Sequence, residues 1–228
     1  MKRKSSLLIP AVLAFSLCTA PVLPVLAEAD AATDAASSDT ASVSPYQKGK
    51  QEALHFDGAD NILDMIQNLR TPIGDVVVPL ITRLGDAGII WIILTVLLLI
   101  IPKTRKTGVI MMAALLVDVL LCNVLIKNLV ARTRPFDVNT AVQLLIAKPQ
   151  DYSFPSGHTA ASFASVTALY LAGEKKMWKA ALVLAVLIAL SRLYLYVHYP
   201  TDIIGGVIFG SLSGYLGYKI VEQIRKKR

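Results

Sequence analysis

Charged residues are scarce in this sequence. Only 17% of its 228 residues are Asp, Glu, Lys or Arg, whereas 54% are hydrophobic, and the mean hydropathy is +0.57. A soluble domain usually has about 25% charged residues and a smaller apolar share. The composition therefore excludes an ordinary soluble protein and indicates an integral membrane protein. The length is that of one domain, which argues against a second globular module.

Residues that bind metals or form disulfides are also few. The two cysteines, Cys18 and Cys122, both lie in apolar segments and offer no disulfide or metal-binding framework. The sequence has three histidines and no cluster of carboxylates, which a two-metal phosphatase would need. Its net charge of +7 comes from short basic clusters between apolar runs, so nucleic acid is not the expected partner. We expect a protein that binds no metal and no other cofactor.

The first 50 residues differ from the rest of the chain. Residues 1–29 combine a basic start, an apolar stretch and small residues at Ala27 and Ala29, which is typical of a secretory signal peptide. They are predicted to be a cleaved signal or an N-terminal anchor. Residues 30–50 belong to a small, acidic and aperiodic segment, which predicts a disordered external linker. Residues 51–228 are predicted to form the membrane-embedded domain.

The membrane domain is predicted to cross the bilayer about five times. The apolar segments are residues 87–101, 108–126, 158–172, 177–197 and 202–221. Several are shorter than the roughly 20 residues that a span needs, so flanking polar residues are expected to extend the helices. Two earlier segments, 52–70 and 73–84, are predicted to be helices at the outer interface or partly embedded. On the last segment, Gly206, Gly210 and Gly214 form a ridge that is predicted to pack inside the bundle.

The basic residues predict the orientation of these helices. Basic clusters at 103–106, 175–179 and 225–228 alternate with the loops that contain residues 127–158 and 191–202. Because basic loops remain in the cytoplasm, the other two loops are expected on the extracytoplasmic side. The basic start of the chain at residues 2–4 predicts the same orientation.

The two outward loops contain three polar strings: KNLVARTRP at 127–135, PSGH at 155–158 and SRLYLYVHYPTD at 191–202. Together they supply cations, two histidines, a serine and a carboxylate. This set suits phosphoryl transfer, because the phosphoryl oxygens need several positive donors. A histidine nucleophile also needs a carboxylate partner and a separate acid for the leaving group.

The strings fit the patterns K-x6-RP, PSGH and SR-x5-H-x3-D without substitution. In this the chain resembles the type-2 phosphatidic acid phosphatase superfamily, which also contains bacterial acid phosphatases and vanadium haloperoxidases. One short string would be a weak signal, whereas three at compatible spacing are a strong one. The resemblance covers residues 52–222 approximately. It implies an all-α membrane helix bundle with a phosphatidic acid phosphatase type 2/haloperoxidase-like core.

The resemblance also implies the roles of particular residues. His198 is expected to be the nucleophile and His158 the acid and base. Asp202 is expected to accept a hydrogen bond from the other ring nitrogen of His198, across a helix break at Pro200. Arg132 lies outside the signature and is predicted to snorkel at the membrane edge. The residues expected to bind the phosphoryl group are Lys127, Arg134, Arg192, Ser156 and the backbone amide of Gly157.

The leading hypothesis is an outward-facing, metal-independent lipid phosphatase that forms a phosphohistidine. Candidate substrates are a polyprenyl diphosphate such as undecaprenyl diphosphate, phosphatidate and phosphatidylglycerophosphate. One alternative is a lipid phosphotransferase with the same site. Another is a non-catalytic lipid-binding or transport protein, which the two histidines disfavour, and a third is a haloperoxidase, which the multispan architecture disfavours. The sequence leaves the choice of lipid and the oligomeric state open.

Overall fold

The computed structural model describes residues 59–227, and every regular element in that range is helical. The helices are α1 (Ala59–Asn68), α2 (Pro72–Leu84), α3 (Ile89–Ile100), α4 (Arg105–Asp118), α5 (Lys127–Val130), α6 (Pro135–Val138), α7 (Gly157–Leu171), α8 (Met177–Tyr194) and α9 (Pro200–Lys226). A 3-10 turn, Asp86–Gly88, joins α2 to α3, and a π-helical segment, Val119–Ile126, joins α4 to α5. The all-α prediction is confirmed, while the predicted signal or anchor (1–29) and linker (30–50) lie outside the described residues.

Several helices are suited to crossing a membrane. Of the described residues, Arg105–Val138, Met177–Tyr194 and Pro200–Lys226 are long and apolar enough. The pair α2 and α3 passes the same test together, with a bend of 41° at the junction. Helix α7 has 15 residues, fewer than the roughly 20 that a span usually needs. Each predicted span thus coincides with a helix, and the number that cross the membrane stays a prediction.

Helix α9 packs closely against α7 through its glycines. A Cβ on Gly210 would collide with the carbonyl oxygen of Ala160, and one on Gly214 would lie 2.6 Å from the carbonyl oxygen of Ala164. Backbones can approach this closely only where the side chain is missing. The prediction that the glycine ridge packs inside the bundle is therefore confirmed.

The apolar core holds α3, α4, α7 and α8 together. Its largest fully buried members include Trp91, Ile110, Met111, Leu169 and Ile188. Within this core the indole Nε1 of Trp91 donates a hydrogen bond of 3.0 Å to the hydroxyl of Ser162 on α7. The core thus fixes α7, whose first turn carries the PSGH string.

Polar contacts join the helix ends opposite the three strings. Lys106 at the start of α4 forms a 2.8 Å ion pair with Glu222 near the end of α9. Thr107 donates a 2.8 Å hydrogen bond to Glu174, just after α7. The basic segments therefore lie at one end of the bundle. The start of α9, the start of α7 and the region after α4 lie at the other end, which is where the strings are.

Candidate active site

Hydrogen bonds to backbone carbonyls bring the three strings together. Ser156 N donates to the carbonyl of Asp202 at 3.1 Å, and Arg134 Nη1 donates to the carbonyl of Val197 at 2.7 Å. The string at 127–135 is further fixed by Ser153 N, which donates to Arg132 O at 2.8 Å. Residues that are far apart in sequence therefore line one site.

The chain around Lys127 has an irregular backbone. Lys127 follows the π-helical segment Val119–Ile126 directly, and Ala131 then ends the helix at a φ of 48°. Wider turns of this kind are frequent at functional sites, and a positive φ is unusual for a residue with a side chain. The result is a buried Lys127 next to an extended segment that leads to Arg134.

His198 and Asp202 meet across the start of α9, as predicted from Pro200. The Nδ1 atom of His198 lies 3.5 Å from Asp202 Oδ2, which is the outer limit of a hydrogen bond. The hydroxyl of Ser153 lies 3.5 Å from the same nitrogen and donates to Asp202 Oδ2 at 2.5 Å. The backbone N–H of Tyr199 also donates to Oδ2, at 2.9 Å. The carboxylate is therefore held in place beside the imidazole by several donors.

The other nitrogen of His198 faces Arg134. Arg134 Nη1 lies 3.3 Å from His198 Nε2, and a guanidinium can only donate. We therefore assign Nε2 as an acceptor and place the ring hydrogen on Nδ1. Burial lowers the pKa of His198 to about 3, against the opposing effect of Asp202. At neutral pH the ring is uncharged, with the lone pair of Nε2 directed at Arg134, a predicted phosphate-binding residue.

Arg132 is a buried partner of Asp202, so the prediction that it snorkels at the membrane edge is wrong. Its Nη1 lies 2.7 Å from Asp202 Oδ1 and 2.6 Å from the hydroxyl of Thr201. Its guanidinium lies over the ring of Tyr199, 3.9 Å from the centroid. Arg132 therefore points inward together with Arg134, whose Nη1 donates to the carbonyl of Val197.

Asp151 is a site residue that the sequence did not indicate. Lys127 Nζ contacts one oxygen of its carboxylate, and Arg134 Nη2 contacts the other at 2.6 Å. Burial alone would raise the pKa of this carboxyl, but Lys127 and Arg134 outweigh it and hold the pKa below its usual range. Asp151 comes from the loop before PSGH, outside every string. Two of the predicted phosphate-binding cations thus already hold an anion.

Apolar packing fixes the loop that supplies Asp151. The buried cluster beside His198 consists of Leu63, Phe136, Leu195, Tyr196, Val197 and Tyr199. Side chains of the loop lie against it, namely Val142, Leu144, Leu145 and Ile146. The loop therefore covers the segment that carries His198.

Arg192 is the third predicted cation, and it approaches the site from α8. It is buried, and its Nη1 donates a 2.6 Å hydrogen bond to Thr82 on α2. Its Nε is buried without a hydrogen-bond partner among the described residues. Because a buried donor without an acceptor is costly, this atom is suited to an oxygen supplied by a substrate.

Ser156 and Gly157 form the start of α7 beside Lys127. Ser156 is fully buried and accepts a hydrogen bond of 3.1 Å from the hydroxyl of Thr159. A Cβ on Gly157 would lie 3.0 Å from Asn123 Oδ1 and 3.8 Å from Lys127 Nζ. Glycine therefore leaves space between the lysine and the helix N-terminus, a position that favours anions.

His158 has a carboxylate partner from outside the three strings. Its Nε2 lies 2.8 Å from Asp86 Oδ1, in the 3-10 turn between α2 and α3. No motif in the sequence indicates this pairing. Together these residues can hold an anion next to a neutral imidazole and place a second imidazole nearby.

Two solved structures resemble this one. The crystal structure of LpxE from Aquifex aeolicus is 32% identical with a TM-score of 0.61, and the match covers 70% of this chain and 93% of that one. The transmembrane PAP2-type phosphatidylglycerolphosphate phosphatase from Bacillus subtilis is 29% identical with a TM-score of 0.61, covering 79% and 94%. The fold is therefore that of a multi-pass membrane protein of known type.

Sequence comparison agrees with the structure. The undecaprenyl-diphosphatase of Sulfolobus acidocaldarius is 38% identical over 131 residues, or 58% of this chain. That match spans 63% of the relative, less than two thirds of its length. The sequence model of the PAP2 superfamily matches residues 107–226, more than half of the chain. The chain therefore belongs to the PAP2 superfamily, as its three strings predicted.

Proposed function

We propose that the protein is a membrane lipid phosphatase that hydrolyses a phosphate or diphosphate ester through a phosphohistidine at His198. The observation that carries this proposal is the position of Arg134. Its Nη1 lies 3.3 Å from His198 Nε2, and its Nη2 holds the carboxylate of Asp151 at 2.6 Å. An anion site therefore lies directly beside the lone pair of a neutral imidazole, which is the arrangement that nucleophilic attack on a phosphoryl group needs.

The site supports a two-step reaction. The phosphoryl group replaces the Asp151 carboxylate on Lys127 and Arg134, and Arg192 Nε donates to a further oxygen. His198 Nε2 attacks phosphorus while the bond to the leaving oxygen breaks, and His158 protonates that oxygen. Water then attacks phosphorus, His158 accepts its proton, and inorganic phosphate leaves with His198 restored.

Asp202 supports the charge that His198 acquires. When Nε2 is phosphorylated, the ring becomes cationic, and the buried carboxylate at 3.5 Å from Nδ1 stabilises it. Arg132 holds that carboxylate from the other side at 2.7 Å. Because both are buried, their interaction with the ring is weakly screened by solvent.

The proposed substrate is a lipid phosphate. The relative from Sulfolobus acidocaldarius is named an undecaprenyl-diphosphatase, and the Bacillus subtilis structure is a phosphatidylglycerolphosphate phosphatase. A polyprenyl diphosphate such as undecaprenyl diphosphate, phosphatidylglycerophosphate and phosphatidate are therefore the candidates. The apolar helices favour any of these over a soluble ester, because they hold the site next to the bilayer.

The active site is proposed to face the extracytoplasmic side. The basic segments gather at the opposite end of the bundle, where Lys106 pairs with Glu222 at 2.8 Å, and basic ends remain in the cytoplasm.

The test of this orientation uses single cysteines at Thr140 or Lys175 in a variant lacking Cys18 and Cys122. A membrane-impermeant maleimide should label position 140 and not 175 in intact cells. The opposite pattern would reverse the orientation.

The function is tested by phosphate release from purified protein. The substrates are undecaprenyl diphosphate, phosphatidate and phosphatidylglycerophosphate, with His198→Ala as the control. We expect at least one substrate to release inorganic phosphate and His198→Ala to lose roughly 10⁴-fold or more in rate. A phosphorylated acceptor in place of free phosphate would identify a phosphotransferase. Lipid binding without turnover in either protein would show a non-catalytic role.

A further inference from the structure

The turn between α2 and α3 has an unusual backbone. Ala87 has a φ of 49° and Gly88 a φ of 68°. A positive φ costs free energy for a residue with a side chain, and such positions cluster at functional sites. Gly85 and Asp86 immediately precede them, and both contact His158.

Gly85 lets the ring of His158 lie against the backbone. A Cβ at Gly85 would be 2.8 Å from His158 Cδ2 and 2.9 Å from Ile188 Cγ2, too close for any side chain. In an imidazole, Cδ2 is bonded to Nε2, and Nδ1 lies on the opposite edge of the ring. The edge with Cδ2 and Nε2 therefore faces the turn, and Nδ1 faces away from it.

Asp86 fixes the hydrogen on that edge. Its Oδ1 lies 2.8 Å from His158 Nε2, and a carboxylate can only accept. The Nε2 atom therefore carries a hydrogen, and Nδ1 is left as the atom that can exchange a proton with a substrate. The same division of roles between ring nitrogens is seen wherever a carboxylate orients a catalytic histidine.

The charges around His158 give Asp86 a second effect. Burial disfavours a protonated ring most, Arg192 on α8 and Lys127 on α5 also repel it, and Asp86 attracts it. A general acid must be protonated before it can act. The carboxylate of Asp86 therefore reduces, without cancelling, the combined effect of burial and the cations on the acid.

We propose that Asp86 is a positioning residue for the leaving-group proton, a role that rests on the proposed phosphatase function. It holds His158 with a hydrogen on Nε2 and Nδ1 directed at the leaving oxygen. In the first step the Nδ1 proton moves to that oxygen as its bond to phosphorus breaks and the His198 Nε2–phosphorus bond forms. In the second step Nδ1 takes a proton from the attacking water.

The test compares two substrates with different leaving groups. Dioctanoyl phosphatidate releases an alcohol, which needs a proton, whereas p-nitrophenyl phosphate releases a stabilised phenolate, which does not. The quantity compared is kcat/KM, because it reports the step in which the leaving group departs. For Asp86→Asn we expect a loss of about tenfold with phosphatidate and less than about twofold with p-nitrophenyl phosphate.

Asp75→Asn is the matched control. Asp75 lies near the other end of α2, where its carboxylate pairs with Arg70 at 2.9 Å. We expect it to leave both values of kcat/KM unchanged. Asp86→Glu, which keeps the carboxylate, should recover part of the loss with phosphatidate.

The outcomes separate this inference from the proposed function. Equal losses with both substrates would show that Asp86 only supports the structure, and no loss with either would show that it has no role. Both results would overturn the inference while the wild-type protein stayed active. If the wild-type protein hydrolysed neither substrate and no lipid in the wider panel, the phosphatase proposal itself would fail.

Discussion

The site contains two histidine–carboxylate pairs that are built differently. The side chains of His198 and Asp202 are 2% and 0% exposed, whereas those of His158 and Asp86 are 19% and 58% exposed. Four donors surround Asp202: the ring of His198, Ser153, Arg132 and the N–H of Tyr199. Asp86 holds His158 by one 2.8 Å contact at a turn between helices.

The difference agrees with the tasks proposed for the two histidines, nucleophile for His198 and acid and base for His158. A nucleophile must approach phosphorus along a fixed direction, and small errors in its position are costly. The buried ring of His198, held between Asp202 and Arg134, meets that need. The residue that acts as acid and base must gain and lose a proton in every cycle. It must also reach the leaving group and the attacking water. A pair at the accessible edge of the site suits that exchange.

The largest effect is expected from breaking the buried pair. Asp202→Asn removes the charge that is proposed to support a phosphorylated His198. If the amide oxygen keeps the hydrogen bonds from Ser153 and Tyr199, which both donate to Oδ2, the NH2 group faces the guanidinium of Arg132. We expect kcat to fall by roughly 10³–10⁴-fold, far more than with Asp86→Asn. Steady-state phosphate release measures it. Similar losses in the two variants would contradict the distinction between the pairs.

The buried pair should also matter for stability. Arg132→Met leaves the carboxylate of Asp202 without its ion-pair partner at 2.7 Å. Breaking a buried pair costs about 3 kcal/mol or more, so the thermal midpoint in detergent should fall by roughly 6–12 °C. Asp86→Asn should leave the midpoint almost unchanged, because Asp86 is exposed. A larger shift for Asp86→Asn would mean that the outer pair is the structural one.

Asp151 provides a smaller test, because its carboxylate occupies two of the cations that are proposed to bind the phosphoryl group. Asp151→Asn removes a charge that Lys127 and Arg134 now hold. We expect KM and the inhibition constant of inorganic phosphate to fall about two- to fivefold, with kcat unchanged. A rise in KM would show that Asp151 helps substrate binding instead.

The effect of Asp151 should not depend on pH in the ordinary range. Its pKa is held below the usual value of a carboxyl, and a group with a lowered pKa stays charged at every pH above it. The ratio of KM between wild type and Asp151→Asn should therefore be constant from about pH 5 to pH 8. A ratio that approaches one as the pH falls to 5 would show that the carboxyl is protonated there.

The smallest effect is expected from chelation. The proposed site binds the phosphoryl group through Lys127, Arg134 and Arg192, so EDTA should leave activity unchanged. Among the side chains that the structure describes, no three His, Cys, Asp or Glu residues converge as metal ligands would. Loss of activity in EDTA and its return with Mg²⁺ would contradict metal independence.

The sequence predicted both residues of the His198–Asp202 pair but only the histidine of the His158–Asp86 pair. His198, His158 and Asp202 lie in strings whose spacing is diagnostic, so they could be identified without a structure. Asp86 lies 72 residues from His158, in a turn outside all three strings. Its contact with His158 depends on the packing of that turn and of α3 against α7, which local spacing does not contain.

The same reason explains the other residues that the sequence missed. Asp151 and Thr82 reach the site from a loop and from α2, and each is chemically ordinary on its own. Arg132 lies outside the three patterns, which is why the sequence predicts it at the membrane edge, and no motif marks the left-handed turn at Ala131 that precedes it. The helices were easier to predict, because apolar runs and breaks at Thr71-Pro72 and Pro200 mark their bounds.

The central claim is that His198 becomes phosphorylated during turnover, and it can be measured directly. Wild-type protein, His198→Ala and His158→Ala would be mixed with ³²P-labelled substrate and quenched in alkali, which preserves phosphohistidine. The labelled position would then be identified by mass spectrometry. We expect label on His198 in the wild type and in His158→Ala with a good leaving group, and no label in His198→Ala. Full turnover without label at His198, or label that persists in His198→Ala, would contradict the account.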